Sequence, residues 1–472
     1  MPDAERAIVD GAKYLRGVRP IDPAEVATYV EGGAHPAVAR RVLRDAAPEL
    51  GLVERPDGTF VPVPDGTLER DFDGVAAFPD AHADRFLDCL VDAYGPDWHA
   101  GASSEAIRER VRRLKDDYYR RNDVAYDRDV ALAYGLYHLP DTYAAVAYAL
   151  DELGRDGLLD RHLRVLDVGA GVGGPALAVA DYVLGGPDEE DRAALLEYTA
   201  VEPSDAAAVL ESLAGETGPN CHLDVVRETA EAFEPAGDYD LVLFANVLNE
   251  LDRPADVAAR YLDALGPDGT LLGVAPADRE TSTGLRAVER ELVDEREAAT
   301  CYAPMPRFWP GRRPTDRGWS FDERPDLAVP SFQARLAEGA DDPDAYVRTA
   351  VRFSWTALRT DGRRRLDVAL DRREAMPLGD VEDHVTERVD AVVARMSHDL
   401  SGEGGHPLYK VSDGSEAVEC YAVLVEATAL NRRLRDAGYG APLRLENALA
   451  LWNDDEGGAN LVVDAETVVD PA

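Results

Sequence analysis

The residues best suited to chemistry lie in one glycine-rich segment that has a carboxylate in front of it. The segment reads Arg164-Val-Leu-Asp-Val-Gly-Ala-Gly-Val-Gly-Gly174. Its apolar start, up to Val168, is typical of a buried strand, and the apolar stretch from Pro175 to Val183 predicts a helix after it. Glycines allow positive φ angles and let a ligand approach the backbone closely. A turn that opens a helix also favours polar or anionic groups, so the segment predicts a ligand-binding turn.

Two ligand classes fit the glycine spacing. Gly169-x-Gly171-x-x-Gly174 matches the dinucleotide fingerprint, and Asp167-x-Gly169-x-Gly171-x-Gly173 matches the turn of S-adenosylmethionine (SAM) methyltransferases. A carboxylate before the first glycine would repel a pyrophosphate, but it suits the cationic methionine end of SAM. The next predicted strand, Glu197 to Pro203, ends in Glu202, which could accept hydrogen bonds from ribose hydroxyls. Glu202 lies 33 residues after Gly169, further than the ~20 of the dinucleotide pattern, so the flanks favour SAM.

The remaining strands of this region are predicted from apolar runs. They are Cys221–Val226, the near-continuous run Asp238–Asn246 and Thr270–Val274, the last preceded by a predicted turn at Gly266-Pro-Asp-Gly269. Strands that alternate with helices predict an α/β, doubly wound parallel sheet, whose ligands bind at the carboxyl ends of the strands. The residues expected to bind the cofactor there are Asp167, Gly169, Ala170, Gly171, Gly173, Glu202, Pro203, Thr229, Ala230 and Asn246.

Candidate catalytic residues follow the fourth strand, in Asn246-Val-Leu-Asn-Glu-Leu251. Methyl transfer from a sulfonium depends mostly on proximity and in-line alignment. Glu250 could accept a proton or orient an amine, and Asn246 and Asn249 could orient the acceptor. The alternative is that Asn249 and Glu250 cap the next helix, since Asn is a favoured cap residue. No histidine follows this strand, so deprotonation of a hydroxyl near neutral pH lacks an evident base here.

Composition limits the class of protein. The chain has 472 residues, enough for two to four domains, and a net charge of −41. Only three of its 50 basic residues are lysines, which is typical of halophilic adaptation to a salty cytoplasm. Strong salt would screen this charge, so nucleic acid is not excluded. The four cysteines are far apart and no secretory or 18-residue apolar segment is evident. We expect a soluble, cytoplasmic protein without membrane contact.

Four regions are predicted along the chain. Residues 1–75 form a winged-helix domain with a hairpin turn at Asp57-Gly58, which either contacts nucleic acid or serves packing and dimerisation. Residues 76–160 form a helical lead-in, residues 161–400 form the SAM-binding core, in which Val351–Arg359 is a late strand, and residues 401–472 form a small β-rich, OB-like domain.

Residues 276–335 break the alternating pattern and are rich in proline, arginine and aromatic residues. Long irregular segments within a domain are usually functional or disordered. We expect the aromatic residues of this loop to stack on the bases of unpaired RNA and its arginines to contact the phosphates. The alternative is a lid over the sheet edge. The expected RNA contacts are Arg307, Trp309, Arg312, Arg313, Arg317 and Trp319.

Together these segments resemble the archaeal and mitochondrial-type methyltransferase-like proteins of small ribosomal subunit assembly. The matching stretches are Leu139-Pro-Asp-Thr-Tyr-Ala-Ala-Val, Val165-Leu-Asp-Val-Gly-Ala-Gly171, Ala245-Asn-Val-Leu-Asn-Glu-Leu251, the loop 301–321 and Arg352-Phe-Ser-Trp355. The resemblance implies a class I methyltransferase fold, SAM as cofactor and the small ribosomal subunit or its rRNA as partner.

The resemblance leaves the activity open. Members of this family could methylate the rRNA or could assist assembly as non-catalytic SAM-binding factors. A small-molecule O-methyltransferase with a winged-helix dimerisation domain is a further alternative, and a DNA-binding regulator would leave the core unexplained. Mitochondrial-type members carry several cysteines around the loop that can hold an iron–sulfur cluster. This chain has only Cys301 there, and an all-cysteine site needs four thiolates, so we expect neither a cluster nor another metal.

Overall fold

The computed structural model describes residues 3–120, 124–186, 188, 192–215 and 217–472. Two compact units divide the chain. The first unit comprises residues 1–245, 264–269 and 326–349, and the second comprises residues 246–263, 270–325 and 350–472. None of the helices in these described ranges combines the length and the apolar character that a membrane-spanning helix needs.

The helices and strands are numbered along the chain. The helices are α1 (Asp3–Leu15), α2 (Pro23–Val26), α3 (Pro36–Asp45), α4 (Ala47–Leu50), α5 (Asp80–Tyr94), α6 (Gly101–Arg120), α7 (Arg128–Arg155), α8 (Gly174–Leu184), α9 (Ala206–Ala214), α10 (Pro254–Leu262), α11 (Arg279–Arg290), α12 (Ser331–Ala337) and α13 (Arg433–Asp436). The strands are β1 (Leu52–Glu54), β2 (Phe60–Pro62), β3 (His162–Val168), β4 (Leu195–Val201), β5 (Cys221–Val226), β6 (Tyr239–Ala245), β7 (Leu265–Pro276), β8 (Thr300–Ala303), β9 (Asp322–Pro325), β10 (Ala350–Arg359), β11 (Arg388–Arg395), β12 (Leu408–Ser412), β13 (Cys420–Leu424), β14 (Pro442–Asn453), β15 (Gly458–Val463) and β16 (Val468–Pro471).

The N-terminal part of the first unit is a small helical module with a hairpin. The predicted hairpin is confirmed, because β1 and β2 pair antiparallel with Leu52 opposite Pro62. Asp57 accepts hydrogen bonds from Thr59, and Gly58 has a φ of 85°, as a tight turn requires. The side-chain amide of Asn220, which precedes β5, accepts from the Glu54 amide at 2.7 Å and donates to the Glu54 carbonyl at 3.0 Å, so the module is fixed to that edge of the sheet.

Helices α5, α6 and α7 fill the region that the sequence predicts as helical. The 28-residue α7 is the longest of the described helices and has Pro140 in its interior. Apolar residues cover most of its surface, and the stretch from Ala144 to Ala147 is fully buried. A helix that is apolar on most sides is buried in a protein core, and here it packs against α8.

Four parallel strands make up the sheet of the first unit, in the order β5-β4-β3-β6. Val165 pairs with Tyr198 on one side and with Leu241 on the other. Strands β3, β4 and β6 are mostly buried, as expected in a parallel sheet, whereas the edge strand β5 is partly exposed. The turn predicted at Gly266-Pro-Asp-Gly269 is wrong, since these residues extend β7. A Cβ at Gly269 would lie 2.7 Å from the carbonyl oxygen of Tyr239, so this glycine allows close backbone approach.

In the second unit the strand order is β7-β10-β8, with β9 also on β10. The predicted late strand is confirmed as β10, and it runs antiparallel to both β7 and β8. If β9 is left out and the strands from β3 to β10 are counted from one to seven along the chain, the order is 3-2-1-4 in the first unit and 5-7-6 in the second. The all-parallel dinucleotide-binding order lacks such an inserted antiparallel strand.

The segment 276–335 is not one irregular loop, which corrects the sequence prediction. It contains α11, whose N-terminus is capped by Asp278 and which buries Leu285 and Val288. It also contains β8 and β9. Helix α11 is amphipathic and has an apolar stripe only a few residues wide. It was not predicted because polar residues predominate in this segment.

A closed barrel occupies the C-terminal part of the second unit. The strands follow one another as β11-β12-β13-β15-β14, and β14 pairs back with β11. The pair β13–β15 is parallel and the other pairs are antiparallel. The interior is apolar and includes Val393, Val411 and Leu461. Because β11 begins at Arg388, the barrel starts before the predicted boundary at residue 401.

Candidate functional site

The glycine turn between β3 and α8 has the backbone geometry that its sequence predicts. Gly169, Gly171 and Gly173 have φ angles of 72°, 55° and 97°, which side-chain-bearing residues rarely adopt. A Cβ on Gly173 would lie 3.1 Å from the Leu210 side chain, whereas a Cβ on Gly171 would meet nothing within 4 Å. Gly173 therefore serves packing, and Gly171 borders open space beside the turn.

The turn is tied to the end of β4. The amides of Gly169 and Ala170 both donate to the carbonyl oxygen of Val201, at 2.8 and 3.2 Å. Ala170 is buried, so its backbone rather than its side chain contributes to the turn. The chain leaves β4 directly into Glu202 and the exposed Pro203.

Asp167 is a fully buried carboxylate at the end of β3. One oxygen, Oδ2, accepts a hydrogen bond of 2.7 Å from the Tyr198 hydroxyl, whereas the buried Oδ1 has no hydrogen-bond partner. Burial raises the pKa of Asp167 to about 7, and the nearby charge of Glu202 acts in the same direction. An unsatisfied buried oxygen is costly, and a cationic or hydrogen-bond-donating ligand group would satisfy it.

Glu202 points toward the glycine turn. Its Oε2 accepts from the Gly171 amide at 2.9 Å, and its Oε1 accepts from the Ser204 amide at 2.9 Å. Only 7% of the residue is exposed. The structure therefore brings Asp167, Gly171 and Glu202 together at the carboxyl ends of β3 and β4, as the sequence predicts.

Thr229 and Ala230 lie in a turn after β5. The hydroxyl of Thr229 accepts from the Ala232 amide at 3.2 Å, so it stabilises this turn. Thr229 is exposed and Ala230 is buried. Both residues thus lie beyond the carboxyl end of β5, the strand paired in parallel with β4.

In the second unit, Asn246 comes directly after β6. It has a φ of 61°, and its amide donates to the Val274 carbonyl at 2.8 Å. Asn249 and Glu250 are exposed on a short 3-10 turn, Leu248–Glu250. The helix-cap alternative for these two residues is wrong, because α10 begins later, with Arg253 at the N-cap and no side-chain cap bond.

The residues expected to contact RNA divide into buried and exposed groups. Arg307 is ion-paired with Glu289 at 3.2 Å and with Asp294 at 2.8 Å, and the indole N–H of Trp309 donates to Asp413 at 2.7 Å. Only 8% of Arg307 and 6% of Trp309 are exposed. Their expected role in RNA contact conflicts with this burial, since both side chains already bind protein groups.

The other four residues of that set remain nearer the surface of the second unit. Arg312 forms a bidentate pair with Asp380 at 2.9 and 3.1 Å. Trp319 donates to the Ala277 carbonyl at 3.2 Å and is partly exposed, and Arg313 and Arg317 are exposed.

Cys301 is buried, and burial raises the pKa of its thiol to about 12. Its Sγ contacts the carbonyl oxygens of Ala303 and Met305. Within the described residues, no group of three or more His, Cys, Asp or Glu side chains is arranged to hold a metal ion.

Sequence reasoning missed the partners of the turn. Tyr198 supplies the hydrogen bond to Asp167, and the only signal for it was a tyrosine within an apolar strand. Helix α7 packs on the turn, with the Leu139 carbonyl 3.4 Å from the Cβ position of Gly174. No spacing rule in the sequence links a residue on α7 to the turn.

Comparisons with known proteins identify the central domain. A family model described as a methyltransferase domain matches residues 166–271. Models of the N-terminal and C-terminal domains of a family of unknown function, DUF8157, match residues 5–56 and 379–472. No curated protein matches the chain.

Several solved structures are similar to parts of this chain. The mitomycin 7-O-methyltransferase MmcR is 19% identical, over 76% of this chain and 94% of that chain, with a TM-score of 0.27. The plantazolicin methyltransferase BpumL, solved with SAH, is 12% identical over 59% and 96%, with a TM-score of 0.28. A SAM-dependent methyltransferase from Aquifex aeolicus is 15% identical over 36% and 82%, with a TM-score of 0.25.

The side chains around the turn fit S-adenosyl-L-methionine: Asp167 has an unpartnered buried oxygen, Gly171 borders open space, and Glu202 offers a carboxylate beside both. Because it contains this methyltransferase domain, the chain is a SAM-dependent methyltransferase, and its cofactor is S-adenosyl-L-methionine.

Proposed function

We propose that this methyltransferase acts on RNA of the small ribosomal subunit. In this proposal Asp167 and Glu202 hold the two ends of the cofactor, because they flank the open side of the glycine turn. When bound, the cofactor supplies an electrophilic methyl group. Asn246, Asn249 and Glu250 orient the acceptor from the turn after the fourth strand, where Asn249 and Glu250 are exposed. Orientation of this kind is the main requirement of methyl transfer.

An arginine surface on the second unit carries the RNA part of the proposal. Residues 307–317 and 361–374 contain nine arginines and five carboxylates, a net charge of about +4 in a chain of −41. The two segments run side by side, since the Leu370 amide donates to the Phe308 carbonyl at 2.8 Å and Arg312 and Arg372 share Asp380. Basic side chains concentrated on one face are the electrostatic footprint of a nucleic-acid site.

The exposed arginines of this surface are Arg313, Arg317, Arg363, Arg364, Arg372 and Arg373. The surface is anchored to the barrel through Trp309 and Asp413 and through Asp316 and Lys410. The buried pairs thus hold the loop in place while their sequence neighbours face solvent. A fixed backbone presents phosphate-binding arginines at a lower entropic cost than a disordered one.

The barrel supports the same proposal through its topology. Its closed order β11-β12-β13-β15-β14, with β13 and β15 parallel, is that of a five-stranded Greek-key barrel, the architecture of oligonucleotide-binding OB domains. The N-terminal module supports the predicted winged helix only in its order of elements, since helices α1 to α4 precede the β1–β2 hairpin and an isolated bridge joins Ile21 to Phe60. We assign this module to packing, because its hairpin is fixed to the edge of the sheet.

The test compares small-subunit rRNA from a deletion strain and its parent by mass spectrometry. Loss of one methylated nucleotide in the deletion strain is expected. Poor subunit assembly with every methyl mark intact would instead favour a non-catalytic assembly factor. Unchanged marks together with normal assembly would refute the proposal and favour a small-molecule acceptor.

A binding experiment tests the arginine surface separately. Changing Arg313, Arg317 and Arg373 to alanine should weaken binding to a small-subunit rRNA transcript and reduce the salt dependence of that binding, because three phosphate contacts are lost. The control is Arg335→Ala, which removes an exposed arginine from α12 in the first unit. Equal affinities of the two variants would contradict the placement of the RNA site.

A further inference from the structure

Residues 134–142, near the middle of α7, present two adjacent stripes close to the glycine turn. The first stripe faces the turn: the Cβ position of Gly174 lies 3.4 Å from the Leu139 carbonyl and 3.4 Å from Thr142, and that of Gly135 lies 3.6 Å from Val172. The second stripe is Tyr134, His138 and Asp141, at positions i, i+4 and i+7, which share one face of a helix.

The second stripe joins two tyrosines from neighbouring segments. The His138 ring lies 4.8 Å from that of Tyr134 and 6.1 Å from that of Tyr118. Tyr126 meets Tyr134 edge-on at 5.8 Å, and the hydroxyls of Tyr118 and Tyr126 are hydrogen-bonded. We call Tyr118, Tyr126, Tyr134 and His138 the tyrosine–histidine cluster. All four side chains are partly exposed.

The cluster lies beside the cofactor residues on a second side as well. The backbone carbonyl of Tyr126 accepts from the Asp205 amide at 3.3 Å, three residues after Glu202. The cluster is therefore held between the glycine turn, through α7, and the loop that follows β4. The cluster therefore lies next to the glycine turn but is not one of the groups expected to bind the cofactor.

Asp141 is placed to orient His138. The distance from His138 Nδ1 to Asp141 Oδ2 is 3.6 Å, and Arg348 Nε lies 3.7 Å from the same oxygen. A carboxylate next to one ring nitrogen favours the tautomer that leaves the other nitrogen free to accept a proton. Contacts between a base and its orienting group are often long without substrate.

We propose, building on the RNA substrate proposed above, that His138 is the general base of the reaction and that the acceptor is a hydroxyl group. The His138 Nε2 takes the hydroxyl proton. The oxygen's electron pair forms the bond to the methyl carbon, and the electron pair of the broken carbon–sulfur bond stays on sulfur. Asp141 is a positioning residue that acts through His138.

A base at this position decides the acceptor class. A hydroxyl near neutral pH is a poor nucleophile unless its proton is removed. On RNA the available hydroxyl is the ribose 2′-OH, and the tyrosine rings of the cluster offer a stacking surface for the attached base. His138 on α7 would thus provide the general base, because the segment after the fourth strand contains no histidine.

The test uses the full chain and radiolabelled SAM with small-subunit RNA from the deletion strain. Alkali cleaves RNA at every unmodified 2′-OH, so 2′-O-methylation gives labelled, alkali-resistant dinucleotides. His138→Gln should lower kcat about 100-fold or more and remove the acid limb of the pH–rate profile, while its SAM affinity stays that of wild type. The control, His406→Gln, changes an exposed histidine of the second unit and should retain wild-type kcat.

A second readout follows the His138 ring itself by NMR in the unliganded chain. The groups facing this ring are Asp141, Tyr134 and Tyr137 on its own helix, Tyr118 on α6, and Arg348 through Asp141. Asp141→Asn removes the carboxylate beside His138 Nδ1, so the share of the ring that carries its proton on Nδ1 should fall and kcat should fall about tenfold. A tautomer ratio equal to that of wild type would overturn the role of Asp141.

The remaining outcomes separate this proposal from the proposed function. Label found only in alkali-labile products places the methyl group on a base, which overturns the hydroxyl acceptor and leaves RNA methylation standing. Equal kcat values for His138→Gln and His406→Gln overturn the general base. If the wild-type chain labels no RNA, the proposed function is refuted, and with it the proposal that an RNA hydroxyl is the methyl acceptor.

Discussion

The buried carboxylate of Asp167 makes the unliganded chain less stable as the pH rises. Burial raises the pKa of Asp167 to about 7 in the folded chain, against about 3.9 for an unfolded aspartate. A raised folded-state pKa means that the folded chain holds the proton more tightly. The stabilisation is therefore complete below pH 4 and is lost as the pH rises through about 7.

The substitution Asp167→Asn isolates this effect. Asparagine can still accept the Tyr198 hydrogen bond and cannot ionise, so it avoids the cost of a buried charge. A difference of about three between the folded and unfolded pKa values corresponds to about 4 kcal/mol, since one pKa unit corresponds to about 1.36 kcal/mol. The variant should match wild type near pH 4 and exceed its free energy of unfolding by up to about 4 kcal/mol at pH 8. SAM affinity should fall at the same time, because the ligand loses its carboxylate partner.

Urea unfolding at pH 4, 5, 6, 7 and 8 measures the difference between variant and wild type, so other titrating groups cancel. Asp84→Asn, on the exposed side of α5, is the matched control and should give a difference near zero at every pH. A stability difference for Asp167→Asn that is independent of pH would refute the reasoning, because it would show that the carboxylate ionises as easily in the folded chain as in the unfolded one.

Three further substitutions test other parts of the structure. Glu202→Gln should weaken SAM binding about tenfold in isothermal titration; retained affinity would contradict the cofactor site. Gly173→Ala should cost about 1–3 kcal/mol in urea unfolding, because its φ is 97°; an unchanged midpoint would contradict that geometry. Glu289→Gln should cost about 3–5 kcal/mol, since it leaves Arg286 and Arg307 buried with less compensating charge; a thermal midpoint equal to wild type would refute this.

The sheet was largely predictable from the sequence, because apolar residues predominate in its central parallel strands, β3, β4 and β6. The run Arg164–Val168 became β3, and Asp238–Asn246 became β6 with one residue fewer at each end. Strands buried on both faces leave this signature locally. The strand through Gly266 and Gly269 left no such signal, because glycines there serve close approach to Tyr239 rather than a turn.

The barrel was predicted only in part, for a similar reason. Strands β12 to β16 lie within the predicted β-rich domain of residues 401–472, whereas β11, which contains Arg388 and Asp390, lies in the segment that was assigned to the core. Pairing of β11 with β14 joins residues 48 to 61 positions apart. Closure of a barrel depends on such distant pairs, and local patterns do not contain them.

The arginine-rich loop shows where composition fails. Arginine and tryptophan in a proline-rich stretch predict a nucleic-acid surface equally well whether they are exposed or buried. Trp309 binds Asp413, 104 residues away in the sequence, and Arg307 binds Glu289 on α11. Only the fold reveals these partners, and only the partners distinguish an anchoring side chain from one that is free to contact a ligand.

Burial also explains how the buried and exposed arginines act together in the second unit. Burial opposes ionisation of Glu289, yet the charges of Arg286 and Arg307 lower its pKa, so the network remains charged inside the protein. Such a network adds little net stability against an apolar core, but it is costly to break. It therefore fixes one arrangement of the loop, and Arg313 and Arg317 are presented to solvent at set positions. Asp167 differs from this network, because no cation offsets its burial: its pKa is raised to about 7 and its Oδ1 has no hydrogen-bond partner.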